Sequence, residues 1–493
     1  MIFDSFITST FAFSGDRDEQ IARRQNIAVG CWDTTLGLIQ DTLHEENHYI
    51  RELKTIMEHP NIQETIDDPG KRVVIKADRH TARYHRGVLN APTGPDFAAV
   101  VSDEHSEGRH RHVQMHYKGG QLQYINELHC SYDPLQYPLI LPNGQDGFDV
   151  TKKEEGLTKT TSMDFYAYQI QVRQDDFNTI HKLGFLFSQF LVDMYAKIEG
   201  ERLAYMKRNQ EALRAEKYSV VREQIQQDVS PDRIGTPVIL PPSFVGGPRY
   251  MHNKTQDCLT YCRVYGKPHL FITMTCDANW PEIKDALFPG QSTTDREDLI
   301  ARVFNEKRKK LNKAIVKDGL FGECIAYMAT VEWQKRGLPH QHMIVWLAED
   351  IHPRNIDDVI CAEFPDPEVD KELFELVKKW MVHGPCGQRC QDQSGKCTKK
   401  FPRPFTKETK TDKDGYPEYR RRKAGDGGIQ DVVIWRDSGA RHVYNNSHVV
   451  PYNPWLLRTF GCHINVENVA GIGAIKYVCK YVMKGSNLKV DKI

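Results

Sequence analysis

The stretch that most constrains how this chain can fold is Thr330–Leu347, which reads TVEWQKRGLPHQHMIVWL. Its apolar end, Met343–Leu347, predicts a buried strand, and Ile325–Trp333 predicts a second one. Gly337 and Pro339 lie in the short polar connection between them and favour a turn. The chain is therefore expected to form a pair of strands within a buried sheet.

Two histidines, His340 and His342, open the second of these strands. Because side chains alternate across a strand, both imidazoles are expected on one face, where they can hold one metal ion. Glu332 and Gln334 lie on the facing arm, and either could add an oxygen ligand. Such a ligand set suits a divalent metal with open positions for substrate oxygens. The histidine pair alone is equally compatible with a structural role.

A second feature lies near the C-terminus, in the segment Gly473–Gly485 with sequence GAIKYVCKYVMKG. Its apolar residues recur with helical spacing, and Tyr477 and Tyr481 project from the opposite side beside a row of lysines that includes Lys480. Lysines lower the cost of forming a phenolate and pair with phosphate, so this pattern suits tyrosines that attack a phosphodiester. An amphipathic surface helix with two incidental tyrosines is the alternative.

In combination these features resemble the Rep endonuclease region (HUH type, two tyrosines) of Helitron rolling-circle transposases. The motifs that carry the resemblance are EWQKRGLPHQHMIVWL, KYVCKYVMKG, LFITMTCDANWPEI and DPLQYPLILPNGQDGF. The stretches MDFYAYQIQVRQDDFN and LVDMYAKIEGERLAYMKRNQ resemble the Helitron helicase-like domain of the family's N-terminal half. The resemblance runs from about Lys71 to the C-terminus, and it rests on the ordered set of motifs.

The resemblance implies an α+β fold with an HUH endonuclease-like central antiparallel sheet flanked by helices. It implies that the two histidines, with Glu332 or Gln334, bind Mg²⁺ or Mn²⁺. Tyr477 or Tyr481, assisted by Lys480, would then attack DNA and form a 5′-phosphotyrosine. The implied partner is single-stranded DNA at transposon ends, and the implied location is the nucleus.

Between the histidine strand and the tyrosines the chain carries a separate ligand pattern. His383, Cys386, Cys390 and Cys397 form H-x2-C-x3-C-x6-C in HGPCGQRCQDQSGKC. Four such ligands at this spacing predict a closed tetrahedral Zn²⁺ site, with free buried cysteines as the alternative. The pair Cys462-His463 could also supply ligands, although a strand entering the core explains it equally well.

These patterns divide the chain into five expected regions. They are an N-terminal, mostly β, accessory or DNA-binding region (1–150), a helical region (151–240), a Rep catalytic core with the H-x-H strand (241–350), an insertion with the zinc site (351–450) and a tyrosine helix that completes the core (451–493). The insertion is expected because more than a hundred residues separate His340 from Tyr477.

Charge restricts how the chain could bind DNA. Lys+Arg and Asp+Glu number 66 each, so DNA binding must rest on local basic patches. Solvated helix faces are the alternative explanation for these patches. The candidate DNA-binding residues are Lys307, Arg308, Lys309, Lys310, Arg336, Arg420, Arg421, Arg422 and Lys476.

Several classes of protein are not expected. No apolar run approaches a membrane span, and twelve cysteines in 493 residues do not indicate a secreted disulfide scaffold. No G-x-x-x-x-G-K-[ST] motif occurs, so the helicase normally fused in this family is expected to be absent from this chain. A catalytically silent module that binds single-stranded DNA ends, and a metal phosphodiesterase that uses water, remain the rival functions.

Overall fold

A computed structural model describes most of the chain in two compact units, Met1–Tyr205 and Met206–Ile493. The described residues are 16–27, 30–51, 112–116, 122–127, 129–149, 160–174, 176–210, 240–334, 337–351, 355–386, 390–411, 417–435 and 441–469. Tyr477, Tyr481, Lys476, Lys480 and Arg336 lie outside these ranges, so the structure does not test their predicted roles.

The first unit combines helices with one antiparallel hairpin. Its elements are α1 (Arg17–Ile27), α2 (Asp33–Glu46), β1 (His112–His116), β2 (Leu122–Asn126), α3 (Tyr132–Gln136), α4 (Ser162–Gln169) and α5 (Phe185–Arg208), whose last turn crosses the unit boundary. In the described part of 1–150, helices take up more residues than strands, and the mostly β character of the whole region stays a prediction. α4 and α5 lie within residues 151–240, the region predicted to be helical.

A buried ion pair lies in the core of the first unit. Lys197 on α5 and Asp133 on α3 are each 1% exposed, and their Nζ and Oδ1 atoms are 2.8 Å apart. The Tyr166 hydroxyl donates to the second Asp133 oxygen at 2.6 Å and accepts from Lys197 at 2.7 Å. The backbone passes so close to this carboxylate that a Cβ added at Gly147 would lie 2.2 Å from Asp133 Oδ2. The irregular segment from Asp133 to Phe148 is therefore anchored by a fully paired charge.

The second unit contains a four-stranded antiparallel sheet in the order β10-β3-β5-β4. Its strands are β3 (Leu270–Thr275), β4 (Cys324–Trp333), β5 (Pro339–Leu347) and β10 (Ile464–Asn468). The accompanying helices are α6 (Pro248–Tyr265), α7 (Pro281–Lys284), α8 (Glu297–Val316), α9 (Ile356–Val359), α10 (Lys371–Trp380) and α11 (Pro454–Phe460). The predicted central antiparallel sheet is thus confirmed, although the sheet alone does not establish an HUH fold.

The two faces of this sheet are covered differently. One face packs on α8 through a large core that includes Ile272, Met343 and Leu311. The other face carries Phe271, Ile344 and Trp346, which pack with Cys258 of α6 in a smaller cluster. Even-numbered residues of β5 share one face, so His340 and His342 lie on the same face as Ile344 and Trp346. We refer to this face as the histidine face.

The described parts of 351–450 share the core of the sheet. Their short strands form two hairpins, β6 (Lys410–Thr411) with β7 (Pro417–Glu418) and β8 (Val432–Trp435) with β9 (Arg441–Tyr444). Apolar side chains from α10 and from β8, such as Val377 and Ile434, belong to the same buried cluster as β3 and β5. The predicted insertion therefore contributes apolar residues to the main core of the second unit.

The buried ion pair generates a stability prediction. Replacing Lys197 with Met leaves the Asp133 carboxylate buried without its cation, which costs about 3–5 kcal/mol. The free energy of unfolding, measured by denaturant titration, is expected to fall by this amount. Arg17→Ala, which removes the exposed Arg17–Asp41 pair, serves as the control and is expected to change little. Equal effects of the two substitutions would contradict the structural role assigned to Lys197.

Candidate functional site

The histidine face brings the predicted metal ligands together by strand register. His340 lies directly opposite Glu332 in β4, and His342 lies opposite Thr330 in β4 and Thr273 in β3. Gln334, the other predicted oxygen ligand, lies beyond the last strand pair and is exposed. Of the two candidates, Glu332 is the one that the sheet aligns with the histidines.

The imidazole of His342 is held on three sides. Its Nε2 lies 3.3 Å from a carboxylate oxygen of Glu332, and its Nδ1 lies 3.0 Å from the hydroxyl oxygen of Thr273. The ring stacks on Phe271 with centroids 5.8 Å apart and an interplanar angle of 4°. The sequence did not identify Thr273, because β3 and β5 are 69 residues apart in the chain and their register cannot be read locally.

The second histidine, His340, carries a buried Nδ1 without a hydrogen-bond partner in the described structure. Burial is the main cause that lowers the pKa of both His340 and His342 below the ordinary histidine value. Burial thus favours the neutral form of both rings, which is the form that ligates metals.

A third histidine, His463, adjoins this group at the start of β10. Its carbonyl oxygen accepts a hydrogen bond from the Thr275 backbone N–H at 2.9 Å, and Thr275 is in turn paired with His340. Burial lowers the pKa of His463 to about 4, with a further contribution from His340. The neighbouring Cys462 is fully buried in the main core, so entry of a strand into the core explains this pair.

The four predicted zinc ligands lie close together. His383 Nε2 is 3.2 Å from the sulfur of Cys386, 3.6 Å from that of Cys390 and 3.3 Å from that of Cys397. The sulfur of Cys390 lies 3.6 Å from that of Cys386 and 3.7 Å from that of Cys397. A tetrahedron with Zn–S bonds of about 2.3 Å has edges of about 3.8 Å, so the cluster has the dimensions that Zn²⁺ requires.

The chemistry of these four groups also fits a metal. Burial, followed by hydrogen bonding and repulsion between neighbouring sulfurs, raises the pKa of Cys386. A divalent cation would reverse this shift by stabilising thiolates. Among the described residues, this is the one group in which three or more His, Cys, Asp or Glu ligand atoms all lie within 4.8 Å of one another. A Zn²⁺-type site is thus supported, whereas the predicted Mg²⁺ or Mn²⁺ site has no comparable support.

One lysine, Lys399, acts electrostatically on both the histidine face and the thiol cluster (His383, Cys386, Cys390 and Cys397). Lys399, two residues after Cys397, contributes to lowering the pKa of His342, His383 and His463, although burial is the larger cause in each. Phe401 stacks on the ring of His383, with centroids 4.4 Å apart. An exposed lysine next to the cluster therefore lies within electrostatic range of the histidine face.

The arginines of the YRRRK stretch, which the sequence analysis assigned to DNA binding, make contacts within the protein. Arg421 is 4% exposed and donates to the carbonyl oxygens of Val449 and Tyr419. Arg420 and Arg422 both pair with the buried carboxylate of Glu363, at 3.2 and 2.8 Å. Burial raises the pKa of Glu363, but these hydrogen bonds and charges outweigh it and leave the pKa lowered. All three cations therefore make contacts within the fold, and their assignment to DNA stays a prediction.

The basic run on α8, Lys307–Lys310, makes some contacts within the protein and also has exposed members. Lys307 pairs with Glu282 at 2.7 Å and lies over the ring of Trp280. Arg308 donates to the side chain of Asn305, and Lys309 pairs with Glu306 on the exposed surface. Lys310 is exposed. The exposed members of this run remain candidates for DNA contact.

The sheet, the histidine face and the thiol cluster together define an α+β protein with a candidate metal site. Residues 165–345 match the family model described as the Helitron helicase-like domain at the N-terminus, which is consistent with a Helitron-related protein, as the motifs predicted. A Helitron-related domain suggests interaction with nucleic acid and a transposase-type enzyme with a role in Helitron transposition.

The matched segment includes His340 and His342 but ends before the thiol cluster, Tyr477 and Tyr481. It does not by itself establish a Rep endonuclease. A search of curated proteins finds no match to the chain. No helix in the described ranges is long and apolar enough to cross a membrane.

The thiol cluster leads to a metal-content prediction. The purified protein is expected to bind one Zn²⁺ per chain, and Cys386→Ser is expected to lose it, because a tetrahedral site with one weak ligand binds zinc poorly. Elemental analysis after dialysis measures the content. Cys31→Ser, at an exposed cysteine remote in sequence from the cluster, is the matched control and should keep full occupancy. Zinc-free wild-type protein would refute the site.

The low pKa of His463 predicts that stability depends on pH. Its folded pKa of about 4 lies below the ordinary value of 6.5, so the unfolded chain takes up a proton that the folded protein does not. The stabilisation is complete above pH 6.5 and decreases as the pH falls toward 4, by about 3 kcal/mol in total. Denaturant titrations of wild type and His463→Gln should diverge in their pH dependence over this window. Parallel curves would contradict the prediction.

Proposed function

We propose that this protein nicks single-stranded DNA and transfers the strand through a tyrosine nucleophile, in Helitron transposition. The observation that carries the proposal is the alignment of His340, His342 and Glu332 on one sheet face, with the Glu332 carboxylate 3.3 Å from His342 Nε2. The Helitron-related match over 165–345 supports a nucleic-acid substrate for this face. Action on transposon ends would place the protein in the nucleus.

The residues of the histidine face fit a divalent metal. His340 offers a buried ring nitrogen that lacks a partner in the described structure, both histidines favour their neutral forms, and Glu332 adds a carboxylate. Mg²⁺ or Mn²⁺ held by these three groups would polarise the scissile phosphate and neutralise its developing charge. Two imidazoles and one carboxylate are three protein ligands, which would leave coordination positions open for substrate oxygens.

The nucleophile in this proposal is Tyr477 or Tyr481. The phenolate oxygen attacks phosphorus, the bond from phosphorus to the 3′ oxygen breaks, and that oxygen takes a proton to become a 3′-hydroxyl. The 5′-phosphate remains bonded to the tyrosine. Lys480, between the two tyrosines in sequence, would favour the phenolate by its positive charge. Two tyrosines one helical turn apart would allow successive cleavage and joining.

In this proposal, exposed lysines near the histidine face and on α8 bind the DNA backbone. Lys399 lies within electrostatic range of His342, and Lys310 is exposed on α8. We propose that such lysines contact phosphates. The thiol cluster would hold the loop that carries Lys399, because Lys399 follows the ligand Cys397 by two residues.

The test is detection of a covalent adduct. The protein is incubated with labelled single-stranded oligonucleotides and Mn²⁺, and the products are separated on a denaturing gel. Wild type is expected to give a shifted band that chelation abolishes. The double variant Tyr477→Phe/Tyr481→Phe is expected to give none. His342→Ala is expected to lower the rate on the order of a hundredfold, as for loss of a group that stabilises transition-state charge.

The matched control is Tyr327→Phe, because Tyr327 is exposed on β4 on the face opposite Glu332. It should leave the adduct unchanged. Cleavage without an adduct would instead favour a phosphodiesterase that uses water. Binding of DNA with neither cleavage nor adduct would leave a recognition module and refute the catalytic proposal.

A further inference from the structure

The contacts of His342 assign a role to a residue outside the predicted ligand set. We propose that Thr273 is a positioning residue: its hydroxyl holds the His342 ring so that Nε2 is presented to a metal ion beside Glu332. This inference rests on the proposed metal site of the histidine face. It adds a specific requirement for a hydroxyl group on β3, the strand next to the one that carries the histidines.

The first argument concerns hydrogen bonding at the two ring nitrogens. A neutral imidazole carries one N–H, and the nitrogen that ligates a metal must be the one without the proton. If Nε2 ligates, Nδ1 carries the proton and needs an acceptor. The Thr273 hydroxyl oxygen lies 3.0 Å from Nδ1 and can accept this hydrogen bond.

The second argument is that a hydroxyl group can either donate or accept a hydrogen bond. Without a cation, the Nε2–H of His342 can donate to Glu332 at 3.3 Å, and Nδ1 must then accept a hydrogen bond. The Thr273 hydroxyl can donate in that case and accept in the other. A carbonyl oxygen could satisfy only one of the two states. Thr273 therefore allows the ring to bind or release a cation without leaving a buried nitrogen unpaired.

The third argument concerns the orientation of the ring. Phe271, two residues before Thr273 on the same strand and face, stacks on His342 with an interplanar angle of 4°. Thr273 contacts the edge of the ring and Phe271 its flat side. One strand thus restricts both the tilt and the rotation of the imidazole. Partners of this kind, behind a ligating histidine, change metal affinity about 10–100-fold when they are removed.

The experiment compares three variants of the full chain. Thr273→Val keeps the branched shape and the strand preference but removes the hydroxyl, whereas Thr273→Ser keeps the hydroxyl. Thr330→Val is the matched control, because Thr330 faces His342 from the opposite strand, β4. Mn²⁺ affinity is measured by calorimetry, and the tautomer of the ring by NMR of ¹⁵N-histidine-labelled protein with Mg²⁺. Thermal unfolding shows that each variant is folded.

Thr273→Val is expected to bind Mn²⁺ about 10–100-fold more weakly, with Thr273→Ser and Thr330→Val close to wild type. In wild type with Mg²⁺, the His342 signals are expected to report a proton on Nδ1. Equal Mn²⁺ affinity in wild type and Thr273→Val would overturn the role of Thr273 while leaving the metal site standing. Absence of Mn²⁺ binding in wild type would overturn the metal site itself, and the role of Thr273 with it.

Discussion

The pairing of β5 on both of its edges is the constraint on which the second unit depends. Buried between β3 and β4, this strand can move neither along nor out of the sheet without breaking two ladders of hydrogen bonds. A shift by one residue would turn His340 and His342 toward the apolar core and Gln341 and Met343 away from it. The apolar alternation that stabilises the sheet therefore also fixes which side chains meet Glu332 and Thr273.

Buried charge has a second organising role, in segments with little regular structure. Asp133 and Lys197 anchor a connector in the first unit, and Glu363 draws Arg420 and Arg422 inward in the second. A carboxylate taken out of water must be compensated, so each one determines where its cationic partners lie. Part of the donor capacity of these two arginines is therefore used within the fold.

The sequence predicted those parts of the site that depend on short-range spacing. The histidine pair and the four zinc ligands each lie within fifteen residues, and strand alternation or ligand spacing sufficed to group them. The strands β4 and β5 were likewise predicted from their apolar runs. The contacts of Arg420, Arg422 and Thr273 were not predicted for one shared reason: their partners are 57 to 69 residues distant in the chain. Only the tertiary fold determines such pairings, because local patterns do not encode register between distant segments.

The close approach at Gly147 has a consequence for how sequences of this kind can diverge. Any side chain there would overlap the Asp133 carboxylate, so position 147 is closed to variation while that carboxylate is present. A relative that loses the buried lysine at 197 would also lose the reason to keep the aspartate, and with it the restriction at 147. We therefore expect the three positions to vary together, because a change at Asp133 or Lys197 alone leaves its partner buried and unpaired, and a side chain at 147 overlaps the carboxylate.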